Sequence, residues 1–466
     1  MKNKKPLTVF LLAMICFAAT GNIANIPLTA LYGFSGLFYF AFSAIFFFIP
    51  LALVSAELAT GWPQSGGIYL WVKKAFGSSF GFIAIWLQWV QNLAWFPTML
   101  IFIASTFGFI IFPELASNKI YIFSVFIIVF WSITLLNFFG VKTSGLFSTI
   151  CITLGTIFPG IFIVILGIIW MIKGYPKQIV FSFDSLVPSV KSFSQLALLA
   201  SFVITTSGME MPAVHAKDVQ NPRKNYPKAI LIATILIFSI FSIGSISLAV
   251  VIPKSQISLG SGTISAFSYF LKAYHLNWII PILGILMTFG ALGMLNTWTL
   301  GPARGLLTTA QEGELPAIFR KVNKKNMPVS ILLMQALIST LLGLVILFEP
   351  TINQSYFLLY DLTALLYLLM YLLLFASFIR LRFKYADHPR PFKVPFKSFG
   401  MWLIGGIALS GVLFCLLMGF FPPEQIEPEN IIFYEVFLIG GIVIFAIIPF
   451  VIHRFFHKKW KERIKD

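Results

Sequence analysis

Two short runs place glycine, proline and polar side chains inside stretches that are otherwise apolar. Gly21-Asn22-Ile23-Ala24-Asn25-Ile26-Pro27 interrupts the first stretch, and Ser207-Gly208-Met209-Glu210-Met211-Pro212 interrupts the sixth. The chemistry open to such runs is recognition rather than bond making. A helix that stops in mid-course leaves free N–H groups at one end and free carbonyls at the other. These suit a carboxylate and an ammonium, respectively. Glycine allows close approach to the backbone. Candidate binding positions are therefore Gly21, Asn22, Ile23, Ala24, Asn25, Ile26, Thr205, Ser207, Gly208 and Met209, acting through backbone or short polar groups. For either run alone, a proline kink that merely shapes packing is the alternative.

Other residues add possible walls and switches. Glu210 is an ionisable group in an apolar stretch, which by default marks a functional position. It could hold a gate, take up a proton, or make a structural hydrogen bond. Trp298 could stack on the aliphatic or cationic part of a ligand, or pack. Tyr367 and Tyr371 are spaced four apart and share one helical face, so their hydroxyls could close a cavity or fill a core. Glu57 and Asp361 lie nearer the ends of their stretches, which favours structural pairing. His215 could gate by pH or sit solvated in a loop. Cys16, Cys151 and Cys415 are far apart, lack metal-ligand spacing and read as buried small hydrophobes. No nucleophile–base pair, HExxH or P-loop is present, so a membrane enzyme has no support. No metal or cofactor is implied.

The elements that position these residues follow from composition. The chain has 466 residues, 58% of them hydrophobic and only 11% charged, with mean hydropathy +0.91. A soluble protein carries about a quarter charged residues. Stretches of about 20 apolar residues are long enough to cross a bilayer. Twelve occur, at about 7–32, 36–59, 80–112, 120–139, 146–172, 194–214, 228–252, 278–303, 329–348, 355–379, 401–421 and 431–453. The first is too long and too interrupted for a signal peptide. The expected fold is all-α and integral to the membrane, one domain over 1–466. Residues 68–76 read as a short interfacial helix with Trp71 at headgroup level, and 304–327 as a second such stretch.

The net charge of +17 would fit nucleic acid until it is mapped. With the N-terminus inside and spans alternating, 27 of the 33 basic residues fall on the inner side. By the positive-inside rule both termini are cytoplasmic. Topology and attraction to anionic membrane lipid account for the charge, and no nucleic-acid partner is expected, including at the basic tail 454–466.

In lipid, unpaired backbone survives only where it lines a cavity inside the protein. Broken helices in corresponding halves point to a midplane substrate site in secondary transporters. The breaks fall in spans 1 and 6, five crossings apart, so the second unit is inverted relative to the first. The expected organisation is a repeat over 7–172, an inverted repeat over 194–379, and two appended helices at 401–453.

Four stretches carry a family likeness. They are Gly21 to Pro27; Ala56-Glu57-Leu58 through Gly66-Gly67-Ile68-Tyr69; His215-Ala216-Lys217-Asp218-Val219-Gln220-Asn221-Pro222-Arg223-Lys224-Asn225-Tyr226-Pro227; and Trp298-Thr299-Leu300-Gly301-Pro302-Ala303-Arg304-Gly305. The chain resembles the amino acid–polyamine–organocation superfamily, within it the bacterial glutamate:γ-aminobutyrate antiporters. The resemblance implies a five-plus-five inverted-repeat fold with helices 1 and 6 broken. It also implies exchange of amino acids or their decarboxylated amines across a bacterial cytoplasmic (inner) membrane, with proton-coupled symport as the alternative. It places Trp298 against substrate, and Glu210 matches the family's Gly-x-Glu pattern after Gly208. Two departures stand out. Thr205, Thr206 and Ser207 occupy positions where relatives often carry an aromatic gate, and span 5 has no central lysine like that of some proton-coupled relatives. The antiporters' long C-terminal plug has no counterpart before Asp466, so acid gating is not implied. The sequence leaves open which amino acids are exchanged and whether a homodimer forms.

Overall fold

The computed structural model describes residues 8–63, 66–188, 194–197, 199–212, 219, 221–423 and 431–462. Helices dominate it. The first span is split into α1 (Val9–Thr20) and α2 (Ile26–Ala30). The second is α3 (Gly33–Gly61), followed by the short α4 (Ile68–Phe76). Then come α5 (Ser78–Ile111), α6 (Lys119–Phe138) and α7 (Phe147–Ile172). The sixth span is described in pieces, Ser194–Ala197 and α8 (Leu199–Ile204). Next are α9 (Pro222–Val251), α10 (Gly262–Ala273), α11 (Ile279–Gln311) and α12 (Val329–Phe348). The last are α13 (Ile352–Lys384), α14 (Lys397–Met418) and α15 (Ile431–Phe456).

Among the described residues, ten helices are long and apolar enough to cross a membrane, and the bent pair α1–α2 makes eleven. These ten match predicted spans 2–5 and 7–12. The two predicted spans missing from them are the two read as broken, and the sixth is only partly described.

Local signals explain the element ends. Thr8 caps α1 by accepting the Leu11 N–H, and Asn118 caps α6 by accepting that of Tyr121. Thr351 and Gln354 form a capping box that starts α13. α5 and α13 are the most buried spans and α15 the least, so α5 and α13 form the centre and α15 lies at the edge. α7 and α11 cross backbone to backbone. A Cβ on Gly155 would stand 2.1 Å from the Leu286 carbonyl oxygen, so only glycine allows that approach.

Three expectations need correction. Residues 68–76 do form a helix, but Trp71 is buried at 1% exposure and packs in protein rather than facing lipid. The apolar face of α4 packs on α5 and α13 rather than on lipid. Residues 304–311 do not form a separate helix; they extend α11 without a break, Pro302 included. Finally, α10 arises in what reads as an outer loop, and most of it is buried.

Candidate functional site

Thr20 ends α1, and the chain bends by 43° before the next helical stretch begins at Ile23. The Asn22 side chain accepts the Ala24 N–H at 3.0 Å and so starts a short 3₁₀ turn, Ile23–Asn25. Asn22 and Asn25 side chains meet at 3.5 Å, and the Tyr360 hydroxyl of α13 reaches Asn25 Oδ1 at 3.4 Å. On the far side of the break, Thr263 of α10 donates to the Ile23 carbonyl. Thr29 donates to carbonyls of the same turn and contacts Ser245 of α9 at 2.5 Å.

The second break faces the first. After α8, Thr205, Thr206 and Ser207 continue as tight turns, their N–H groups bonded back to 201–204. Gly208 has φ of +107°, a conformation that favours glycine, and a Cβ there would meet the Ala19 carbonyl oxygen at 2.7 Å. The Gly208 N–H donates to the Tyr371 hydroxyl at 3.1 Å. Glu210 is buried, and its carboxylate accepts from Tyr367 at 2.5 Å, Tyr371 at 2.9 Å and Gln88 of α5 at 3.3 Å.

A small cavity lies between the two breaks. Of the residues expected at a site, Asn22, Asn25, Thr205, Ser207, Trp298 and Tyr367 line it. Gly21, Ile23, Ala24, Ile26, Gly208, Met209, Glu210 and Tyr371 do not line it. Gly208, Glu210 and Tyr371 stand directly behind the wall through the hydrogen bonds above. Sequence reading missed Gln91, Asn92 and Trp95 of α5, Met294 of α11, and Tyr360 and Thr363 of α13. A signal existed: Gln88, Gln91, Asn92 and Trp95 fall at i, i+3, i+4 and i+7 on an apolar helix, which puts them on one face. Trp95 and Trp298 centroids are 6.1 Å apart, and Trp298 meets Tyr367 edge-on.

Among the described residues, no charged side chain lines the cavity. The Gln91 and Asn92 amide nitrogens both donate to the Gln88 carbonyl, which leaves their side-chain oxygens for a donor group. Such a lining suits a small ligand whose charges are met by helix ends and whose side chain is neutral.

The ion pairs of the described residues gather on the side expected to face inward. Glu57 of α3 accepts from Arg382 at 2.6 and 2.5 Å and from the Val394 N–H at 2.7 Å, with Arg390 at 3.5 Å. Lys73 and Tyr69 of α4 both contact Glu312. Burial and that carboxylate push the Tyr69 phenol above its ordinary range. His453 of α15 sits buried against Glu314 at 2.6 Å, a contact that sequence reading did not foresee. Cys16, Cys151 and Cys415 are buried and free. Residues 213–218, His215 among them, lie outside the described residues, so pH gating there stays untouched.

The chain matches the model of the amino acid permease family over residues 6–445. It belongs to that family. As a member of the family it is a multi-pass membrane transporter and not an enzyme. Similar proteins include Uncharacterized transporter lpg1691 of Legionella pneumophila, 41% identical over 99% of this chain and 98% of that one. A Glutamate/gamma-aminobutyrate antiporter of Lactococcus lactis is 31% identical over 100% of this chain and 93% of that one. A Probable agmatine/putrescine antiporter of the same species is 26% identical over 84% of this chain and 83% of that one.

Proposed function

We propose that this permease exchanges amino acids across a bacterial cytoplasmic membrane by alternating access, with both termini inside. The observation that carries this reading is the cavity between two facing helix breaks, with Trp298 and Tyr367 as walls. Broken helices present N–H groups to a carboxylate and carbonyls to an ammonium at the midplane. The charge-free lining favours a zwitterion with an uncharged, hydrogen-bonding side chain. The antiporter relatives support exchange as the mode, and exchange is driven by the substrate gradients alone. Residues 7–172 and 194–379 are the two repeats that rock against each other. Residues 401–453 are an appended pair and 454–466 a basic tail. The binding set is Asn22, Asn25, Thr205, Ser207, Trp298 and Tyr367, with Gly208, Tyr371 and Glu210 shaping the break from behind.

A second reading, proton-coupled symport, is favoured by Glu210 alone, a buried carboxylate beside the cavity. A panel of amino acids and amines, scored by thermal stabilisation of the purified protein, tests the substrate class. Neutral polar amino acids should stabilise it, since a ligand that binds only the folded form raises its stability. Stabilisation by diamines alone would overturn the uncharged-side-chain reading.

A further inference from the structure

Asp361 is another buried acid and takes no part in the cavity wall. It sits on α13 at 3% exposure, next to Tyr360, which does line the cavity. Its two oxygens are held by hydroxyls from two other spans. Ser201 of α8 donates to Oδ1, and Tyr434 of α15 donates to Oδ2 at 2.8 Å. The pairing it was expected to have thus consists of neutral groups.

No cation faces it. α5 carries no charged residue, and neither do the described pieces of the sixth span. α14 has a single basic residue, Lys397, at its inner start, and contributes the buried thiol Cys415. The outer part of α15 carries only Glu435, beside Tyr434 and exposed. The basic residues of α4 and Glu57 of α3 belong to the inner side. On α13 itself the nearest cation is Arg380, nineteen residues away, or about 28 Å along the helix. Tyr360 and Tyr356 are the other titratable groups on that helix nearby. An ionised carboxylate away from water is costly unless paired.

We propose that Asp361 is a proton-binding site in the outer half of the protein, separate from Glu210, and that its protonation controls docking of α8 on α13 and α15. The ionised form accepts from both hydroxyls at once. Adding a proton from water turns one oxygen into a donor. One of the two hydroxyls must then rotate to accept, or leave. Ser201 is three residues before Ile204 and four before Thr205, both in the cavity wall. Loosening it frees the half-helix that closes that wall. Tyr434 lies four residues into α15, so the route to the outer surface is short.

The test is a pH titration of the purified full-length protein by difference infrared spectroscopy, alongside exchange in proteoliposomes at varied outer pH. In the parent, a protonated carboxyl band should appear on acidification, and Asp361→Asn should remove it. Tyr434→Phe should move that step to higher pH, because one donor to the ionised form is gone. In exchange, the parent should show the same pH step, and Asp361→Asn should lose it at all pH values tested. The infrared band needs no transport, so it reads the site even if the exchange reading fails. A band that is unchanged in Asp361→Asn, or a step unmoved in Tyr434→Phe, overturns the proposal. So does an Asp361→Asn exchange profile that keeps the parent's step.

Discussion

Tyr371 and Gly208 are 163 residues apart, yet the Tyr371 hydroxyl accepts the Gly208 N–H at 3.1 Å. The same oxygen donates to Glu210 at 2.9 Å. One hydroxyl from α13 therefore satisfies both the unwound backbone and the carboxylate beside it. Removing it as Tyr371→Phe leaves a buried N–H without its partner and takes one of the three donors from Glu210. An unsatisfied buried group costs about 1–3 kcal/mol. Exchange should slow by about tenfold or more while helix content by circular dichroism stays put. A rate within about twofold of the parent would mean that this link does not matter to transport.

Gly208 itself should tolerate nothing larger. Its φ of +107° and the 2.7 Å approach to the Ala19 carbonyl leave no room for a side chain. Gly208→Leu should abolish ligand binding in monodisperse, detergent-purified protein. Binding equal to the parent would move the site elsewhere.

Trp298→Ala should behave differently. It removes one wall of the cavity and leaves the breaks intact. The loss should be about 1–3 kcal/mol, the scale for a large apolar side chain, read as weaker affinity and a shifted ligand preference. Unchanged affinity and selectivity would make Trp298 a packing residue.

The spans were legible because a bilayer demands length and apolarity from every crossing, and both can be counted along the chain. The breaks were legible for the same reason: Gly21, Asn22, Gly208 and Glu210 violate that demand. α10 was not legible. Its twelve residues look like a loop until α2, α5 and α9 bury them. Trp71 was misread because a tryptophan at a span end could face lipid or protein, and only tertiary packing decides. Gln91 and Asn92 share a polar face with Gln88 and Trp95, but on a continuous helix that spacing marks a polar face without telling whether it meets a cavity or another helix. His453 and Glu314 lie 139 residues apart, and no local pattern joins them.

The α7–α11 crossing gives a stability test. Gly155→Val should lower the thermal midpoint of the purified protein sharply, since even a Cβ would overlap the Leu286 carbonyl. Gly406→Ala on α14, where a Cβ meets nothing within 4 Å, should leave it nearly unchanged. Equal midpoints for both would contradict the packing described.

Orientation is checked by labelling. Single cysteines at 177 and 254 should react with a membrane-impermeant maleimide from outside, whereas cysteines at 224 and 321 should not. The opposite pattern would invert the topology.

The most direct measure of the central claim is uptake of a labelled neutral amino acid into proteoliposomes, with and without the same amino acid inside. An exchanger takes up label much faster into preloaded vesicles, and a protonophore leaves that rate alone. Equal uptake into empty vesicles, collapsed by the protonophore, would contradict exchange and identify a proton-driven symporter.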